Sequence, residues 1–410
     1  MDRNVEWLLE TGRFAASPAK LVSEVARRLC EDGFDLLRMN VQPRTLNVEV
    51  GSILYLWRPV AAPQEMRAGA RVVYESVTQQ EFGVVHESAI GYGGLGLSAF
   101  DTDAFRASPF YKIYAGTPRI RCAVVADAAD YEFPILRDLA KAGATDYAAW
   151  PLRLGDGTVS AVSIVTRKTG GFTDTDISRF EALLDPLAMC VEIHLQKYIA
   201  RSLLHTYLGR GPGEAVLAGR VQRGDVQQTE AAIWFSDLRG FTQASTAIEP
   251  RELVAWLNEY FGAIAKPISA NGGEILKFIG DAILAVFPVT EETTRQAACE
   301  AALRSAEAAN GALDALNENR SARGLPALQH GIGLHVGTVE YGNIGAERRL
   351  DFTVIGRAVN LASRIESLCG KLSRRTLASA DLAALAGREL PTVGSFELKG
   401  LPGEQVVYAL

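Results

Sequence analysis

Gly273-Glu274-Ile275-Leu276-Lys277-Phe278-Ile279-Gly280-Asp281-Ala282-Ile283-Leu284-Ala285-Val286-Phe287 is two apolar runs joined by a Gly-Asp pair. Apolar runs flanking such a dipeptide are the strongest short-range signature of a β-hairpin. With the turn at Gly280-Asp281, the pleat predicts Lys277, Ile279 and Asp281 toward one side of the first strand, and Leu276 and Phe278 toward the other. An Asp at a hairpin tip also has a plain role, since its side chain bonds its own backbone in a turn. A second stretch shifts the balance. The apolar strand Ala231 to Phe235 runs into Ser236-Asp237-Leu238-Arg239-Gly240-Phe241-Thr242, an acid followed by a glycine-bearing turn. Two strand-end carboxylates at one sheet edge make a site for a hard divalent cation.

The chain has 410 residues, 48% of them hydrophobic and 22% charged, with a net charge of −6. These are ordinary globular values, and the length predicts two to three domains. No basic stripe is present, so general nucleic-acid binding is excluded and any phosphate chemistry must be local. Cys30, Cys122, Cys190, Cys299 and Cys369 are widely spaced without a C-x-x-C pair, which suggests neither a zinc site nor a disulfide framework. The first residues, Met1 to Glu6, are acidic where a secretory signal is basic and apolar, and no run is long enough for a membrane span. The expectation is a cytoplasmic protein without a membrane span.

In chain order, apolar spacing predicts a helix from Pro18 to Asp32 stopped by Gly33, then strands at Leu36–Val41, Val48–Trp57 and Arg71–Val77. The loop Gly91-Tyr92-Gly93-Gly94-Leu95-Gly96 lacks the context of a phosphate cradle and is expected to be a plain loop. Tyr147–Arg153 and Thr158–Thr166 predict a hairpin about Leu154-Gly155-Asp156-Gly157, and Phe172-Thr173-Asp174 opens a long helix. On that helix Ile177, Phe180, Leu184, Leu187, Val191, His194 and Tyr198 recur at spacings of three and four. Such a stripe is either a coiled-coil seam or a face packed on its own domain, with a kink expected at Pro186. His86, alone in the first 190 residues, carries little weight as a ligand. The layout and the words Gly-Asp-Gly-Thr-Val-Ser-Ala-Val-Ser-Ile and Gly-Gly-Phe-Thr-Asp resemble a GAF domain, which implies a ligand-sensing or dimerising module over residues 1–195.

The stretch from His205 to Gln228 is rich in glycine and charge and predicts a linker, placed with the preceding helix end as a transducer over residues 196–228. Beyond it the pattern reads strand (Ala231–Phe235), helix (Pro250–Ile268), hairpin, helix (Glu291–Asn317), strand (Gln329–Val336) and strand (Asp351–Ile355). A helix (Ala358–Leu368) and strands at Phe396–Lys399 and Val406–Ala409 complete it. The opening β-α-β-β-α-β order is the ferredoxin-like arrangement, so the fold class is α+β throughout.

Residues 229–410 resemble the class III nucleotidyl cyclase catalytic domain. The matching words are Phe235-Ser236-Asp237-Leu238-Arg239-Gly240-Phe241-Thr242, Leu276-Lys277-Phe278-Ile279-Gly280-Asp281-Ala282 and Phe352-Thr353-Val354-Ile355-Gly356-Arg357-Ala358-Val359-Asn360-Leu361-Ala362-Ser363-Arg364. The resemblance implies adenylate cyclase activity, ATP to 3′,5′-cyclic AMP and pyrophosphate, with guanylate cyclase as the alternative. It assigns Asp237 and Asp281 to two Mg²⁺ or Mn²⁺ ions, Asn360 to the ribose and Arg364 to the pentavalent phosphate. Lys277 and Thr353 match the purine-reading pair, Thr353 standing where many members have Asp. Phe235, Leu238, Gly240, Phe241 and Thr242 match the substrate-binding turn, and Lys399 matches a terminal-phosphate contact. The family's basic residue near Val336 to Val339 is absent, with Thr338 in its place. Sites shared across a homodimer are implied, regulated by a small-molecule or protein signal at the N-terminal domain. Two other functions compete. A diguanylate cyclase is disfavoured because Asn271-Gly272-Gly273-Glu274 precedes the first strand instead of forming the turn. A silent nucleotide-sensing module is disfavoured because all six family positions are filled.

Overall fold

The computed structural model describes residues 2–45, 50–59, 72–80, 83–91, 102–126, 128, 130–347 and 349–410. Two compact units divide the chain, Met1–Leu203 and Leu204–Leu410.

The first unit is built on a seven-stranded sheet of antiparallel pairs. Its strands are β1 (Leu36–Gln42), β2 (Val50–Arg58), β3 (Val72–Gln80), β4 (Gly83–Gly91), β5 (Ile120–Ala123), β6 (Asp146–Arg153) and β7 (Val159–Thr166), in the order β3-β4-β2-β1-β7-β6-β5. Its helices are α1 (Arg3–Glu10), α2 (Pro18–Glu31), α3 (Asp103–Arg106), α4 (Pro109–Tyr114), α5 (Pro134–Lys141), α6 (Asp174–Glu181) and α7 (Leu184–Leu208). The expected Pro18 helix forms because Ser17 accepts from the Lys20 N–H and Pro18 suits the first turn, and it ends where Gly33 turns left-handed at φ +86. Leu21, Val25, Leu29, Phe180, Leu187 and Val191 bury one sheet face; Phe110, Ile113, Leu136 and Leu139 bury a second cluster with Tyr147 and Val165. The expected glycine-rich loop beyond Gly91, Val48 and Asn47, and Arg71 lie outside the described residues.

The single long helix with a kink at Pro186 is in fact two helices. Thr173 and Asp176 form a reciprocal capping box on α6, and the chain breaks at Ala182-Leu183, so Pro186 falls in the first turn of α7 where its missing N–H is no loss. Of the two readings of the stripe, the face packed on its own domain is the one observed: Ile177, Phe180, Leu187 and Val191 belong to the main cluster and His194 is buried. The opposite face of α7 is the exposed one, with Met189, Ile193 and Leu203. His86 is no isolated group, since its Nε2 lies 2.8 Å from Arg58 Nη2.

The second unit contains α8 (Arg210–Leu217), β8 (Val226–Leu238), α9 (Phe241–Ala247), α10 (Pro250–Ala270), β9 (Glu274–Ile279), β10 (Ala282–Pro288), α11 (Arg295–Ala322), β11 (His330–Ala346), β12 (Arg349–Ile355), α12 (Arg357–Lys371), β13 (Thr376–Ser379), α13 (Ala380–Ala383), β14 (Thr392–Glu397) and β15 (Glu404–Ala409). The main path of the sheet runs β14-β15-β13-β11-β8-β10-β9, with β12 paired to β11 off that path. Its β8-α10-β9-β10-α11-β11 portion has β11-β8-β10-β9 side by side, the ferredoxin-like arrangement. Helices α10 and α11 bury Ala232, Trp234, Ile283, Ala285 and Phe287 on one face, and α12 buries Ala231, Ile233, Leu284 and Val286 on the other. Part of the glycine-rich stretch expected as a linker is the helix α8, in which Gly211 and Gly213 allow close approach: a Cβ on Gly211 would lie 2.3 Å from Glu274 Oε2. The short β13, parallel to β11, is an element that alternation does not reveal in so few residues.

Candidate active site

The hairpin turn falls at Gly280-Asp281, with Ile279 opposite Ala282 and Gly280 at φ +65, a conformation open to glycine at no steric cost. The pleat is interrupted, however. Lys277 pairs with Leu284 and Ile275 with Ala285, so Leu276 is an extra, bulged residue. Leu276 therefore joins the α12-side cluster with Leu284, whereas the Phe278 ring lies tilted against Phe261 of α10, with ring centroids 4.3 Å apart. The expectation that Leu276 and Phe278 share a side is corrected by this bulge, which puts Leu276 and Lys277 on one face.

Strand β8 brings in the second carboxylate. Its even positions, Ala232 and Trp234, enter the α10 side, and its odd positions, Ala231 and Ile233, enter the α12 side. Asp237 continues the odd series, opposite Gly331 of β11. Because β8 and β10 are neighbours, with Ser236 opposite Ile283, Asp237 and Asp281 meet at one edge. Burial, the hydrogen-bonding approach of Asp281 and the charge of Asp281 together push the Asp237 carboxyl up from 3.8 to about 7, against the pull of the Leu238 N–H. Asp237 Oδ1 is buried with no hydrogen-bond partner among the described residues. An orphaned carboxylate oxygen beside a second carboxylate fits a hard divalent cation. Among the described residues no group of three or more His, Cys, Asp or Glu could hold a metal.

A third acid, Glu366 of α12, belongs to this neighbourhood and was missed by the sequence reading. Its carboxyl is pushed up to about 7 by burial and by the charge of Asp237, with Arg239 pulling the other way and Asp281 adding to the rise. It sits where β11 carries no side chain: a Cβ on Gly331 would lie 2.4 Å from Glu366 Oε1. The signal was the series Ala358, Ala362, Glu366, which continues the inward face at intervals of four.

Asn360 and Arg364 project from the exposed side of α12 with Ser367 and Lys371, while Ala358, Ala362 and Ile365 are buried, as expected. Arg364 is two residues from Glu366, about 200° around the helix, and so turns away from the Asp237–Asp281 edge. Among the described residues neither Asn360 nor Arg364 makes a side-chain hydrogen bond or ion pair. Lys277 forms an ion pair with Asp351, and Thr353, buried, follows two residues along β12. Lys399 is exposed beyond β14, at the sheet edge opposite β9. Five strand spacings separate β14 from β10, about 24 Å. One chain therefore does not gather Lys399, Asn360 or Arg364 with the carboxylate pair.

The turn after Asp237 is narrower as an anion seat than expected. The Leu238 N–H pulls the Asp237 carboxyl down from close by, and the Arg239 N–H donates to Gln329 O at 2.8 Å. The N–H groups of Gly240, Phe241 and Thr242 remain, at the start of α9. The Phe235 and Phe241 side chains pack against the two core clusters, so only their backbone faces the turn.

Residues 225–410 match the model of the adenylate and guanylate cyclase catalytic domain. The second unit thus carries a class III adenylate/guanylate cyclase catalytic domain. The chain is 42% identical over 152 residues to the adenylate cyclase of Anabaena cylindrica, covering 36% of this chain and 29% of that protein. It is 34% identical over 190 residues to adenylate cyclase 1 of Rhizobium meliloti, covering 45% and 28%. The chain thus spans less than a third of the length of these curated relatives. Among solved structures, the adenylyl cyclase CyaB from P. aeruginosa is 30% identical, with 45% of this chain and 95% of that chain covered and a TM-score of 0.41. Among the described residues no helix is long and apolar enough to cross a membrane.

Proposed function

We propose that the chain is an adenylate cyclase whose catalytic unit is controlled by the first, GAF-like unit. The observation that carries the reading is the Asp237–Asp281 pair, two carboxylates held together with an orphaned oxygen at the edge of this domain. The 3′-hydroxyl oxygen of ATP bonds to the α-phosphorus, the bond from that phosphorus to the bridging oxygen of the β-phosphate breaks, pyrophosphate leaves, and the hydroxyl proton passes to solvent. Asp237 and Asp281 hold two divalent cations, Mg²⁺ or Mn²⁺, which when bound make the hydroxyl easier to ionise and neutralise charge on the leaving group. Arg364 donates its planar fork to the phosphorane oxygens, and Asn360 orients the ribose. Lys277 donates to adenine N1, and the Thr353 hydroxyl accepts from the exocyclic amine. Phosphate oxygens meet the N–H groups of Gly240, Phe241 and Thr242, and Lys399 reaches the terminal phosphate from a second chain.

Because Arg364 turns away from the carboxylate edge of its own chain, two chains complete each site, giving a homodimer with equivalent sites. The exposed face of α7, with Met189 and Ile193, aligns the pair and passes on the state of the first unit, which binds a small-molecule or protein signal in the cytoplasm. Purified protein is assayed with ATP and with GTP, each in Mg²⁺ and in Mn²⁺. Cyclic AMP formed in preference to cyclic GMP is the expected result; cyclic GMP alone moves the reading to guanylate cyclase, and neither product overturns it.

A further inference from the structure

A narrow cavity of about 320 Å³, counted to where it meets solvent, lies within the first unit between α2, the β1–β2 pair and α7. Leu21, Val41, Ile53 and Val191, all buried members of the main cluster, form its walls. His194 of α7 joins them at 7% exposure, and its Nε2 is buried without a hydrogen-bond partner among the described residues. Folds keep few such atoms, and the stripe of Ile177, Phe180, Leu187 and Val191 on which His194 lies is otherwise apolar. A leucine would fill the same position without an orphaned nitrogen, so the imidazole calls for a partner. Burial, with the charge of Lys197 adding, holds it below its ordinary value, so it is uncharged at neutral pH. No Lys or Arg is among the described residues that line the cavity, and an anion would be buried there without a counter-charge. Tyr198 is a partly exposed member of the lining, and the cavity reaches the surface beside its ring.

We infer that this cavity is a binding site for a small, uncharged, mainly apolar molecule with one hydroxyl group, such as a phenol, which bonds His194 Nε2 and lies against the aliphatic walls. The inference deepens, and rests on, the sensing role proposed for the first unit. The enclosed part has room for about one water molecule, so the hydroxyl takes that place and the apolar body enters as the Tyr198 ring turns aside. Because His194 stands on α7, which runs on to Leu208, occupancy bears on the helix that leaves the unit.

Phenol is titrated into the full chain carrying isotope-labelled histidine, and the signals of the five histidines are followed by NMR. One signal, missing in His194→Leu, moves saturably. Benzene, which lacks the hydroxyl, binds about tenfold more weakly, the worth of one hydrogen bond, and charged benzoate leaves the signal unmoved. In His194→Leu the difference between phenol and benzene disappears, read as the rise in melting temperature with each. If that variant does not fold, His194→Gln, which keeps a donor and an acceptor, still prefers phenol to benzene. A His194 signal that phenol does not move means that the imidazole meets a trapped water only, and overturns the site. Equal affinity for phenol and benzene in wild type overturns the His194 contact. Bound phenol changes the rate of cyclic AMP formation, and binding with no change in rate overturns the link to control. Wild-type protein that makes no cyclic AMP overturns the proposed function, while the NMR titration still judges the site.

Discussion

A carboxylate held half-buried beside another is unfavourable when both are ionised and no cation is bound. Asp237 has a carboxyl pushed from 3.8 to about 7, so the fold binds its proton more tightly than the unfolded chain does. The resulting contribution to stability is present in full below pH 3.8 and is lost as pH rises through about 7. In metal-free protein this part of the melting temperature declines over that window, and Asp237→Asn, which cannot ionise, flattens the decline. At pH values above that window the variant is the more stable protein without metal. Adding Mn²⁺ then raises the melting temperature of wild type and not of the variant, by mass action on the folded state. An identical Mn²⁺ response in both proteins shows that Asp237 is not a ligand. Cyclic AMP formation in the variant drops by more than about a hundredfold, the scale of lost transition-state electrostatics.

Helix α12 presents Asn360 and Arg364, and its seat is set by two glycines on β11. A Cβ on Gly333 would lie 2.3 Å from Ala362 O and 2.5 Å from Glu366 N, both backbone atoms, so the helix itself must move. A Cβ on Gly331 would first meet the Glu366 carboxylate at 2.4 Å, the movable end of a side chain, and then Cys369 Cβ at 2.9 Å. Gly333→Ala is expected to cost about 2 kcal/mol or more, within the range of overpacked cores, and Gly331→Ala less. Thermal unfolding of the two variants checks the ranking, and the reverse order means that α12 is not seated on Gly333. Activity in Gly333→Ala falls beyond the stability loss, because the displaced helix carries Asn360 and Arg364, the two residues proposed to meet the substrate. The same element shows how far pattern carries. The inward positions Ala358, Ala362 and Ile365 follow from a period of 3.6, but nothing in that period reports that a glycine pair opposite leaves room for a carboxylate at Glu366.

For the whole molecule, the question is whether one chain or two build each site. The opposed directions of Glu366 and Arg364 on α12, and the position of Lys399 at the far sheet edge, keep the residues proposed to bind phosphate away from the carboxylate pair of the same chain. Mixing Asp281→Ala with Arg364→Ala then restores one intact site per heterodimer, about half of the wild-type activity. Native mass spectrometry counts the heterodimers. A mixture that contains them and stays inactive places the whole site within one chain.

Local pattern was sufficient for the hairpin at Gly280-Asp281, the helices expected from Pro18, Pro250 and Ala358, and the candidate acids Asp237 and Asp281, since turn chemistry and periodicity act over a few residues. Tertiary structure decided the rest. A bulge at Leu276 overrode strict alternation because the hairpin had to match its neighbour strand, and the stripe on α6 and α7 went to the core of its own unit because a sheet face was available to bury it. Glycines that read as a linker became parts of α8, where Gly211 packs closely on Glu274 and Gly213 on His205. The partners of Asp237 and Lys277, namely Asp281, Glu366 and Asp351, lie far along the chain, and only the folded sheet sets what a side chain will meet across it.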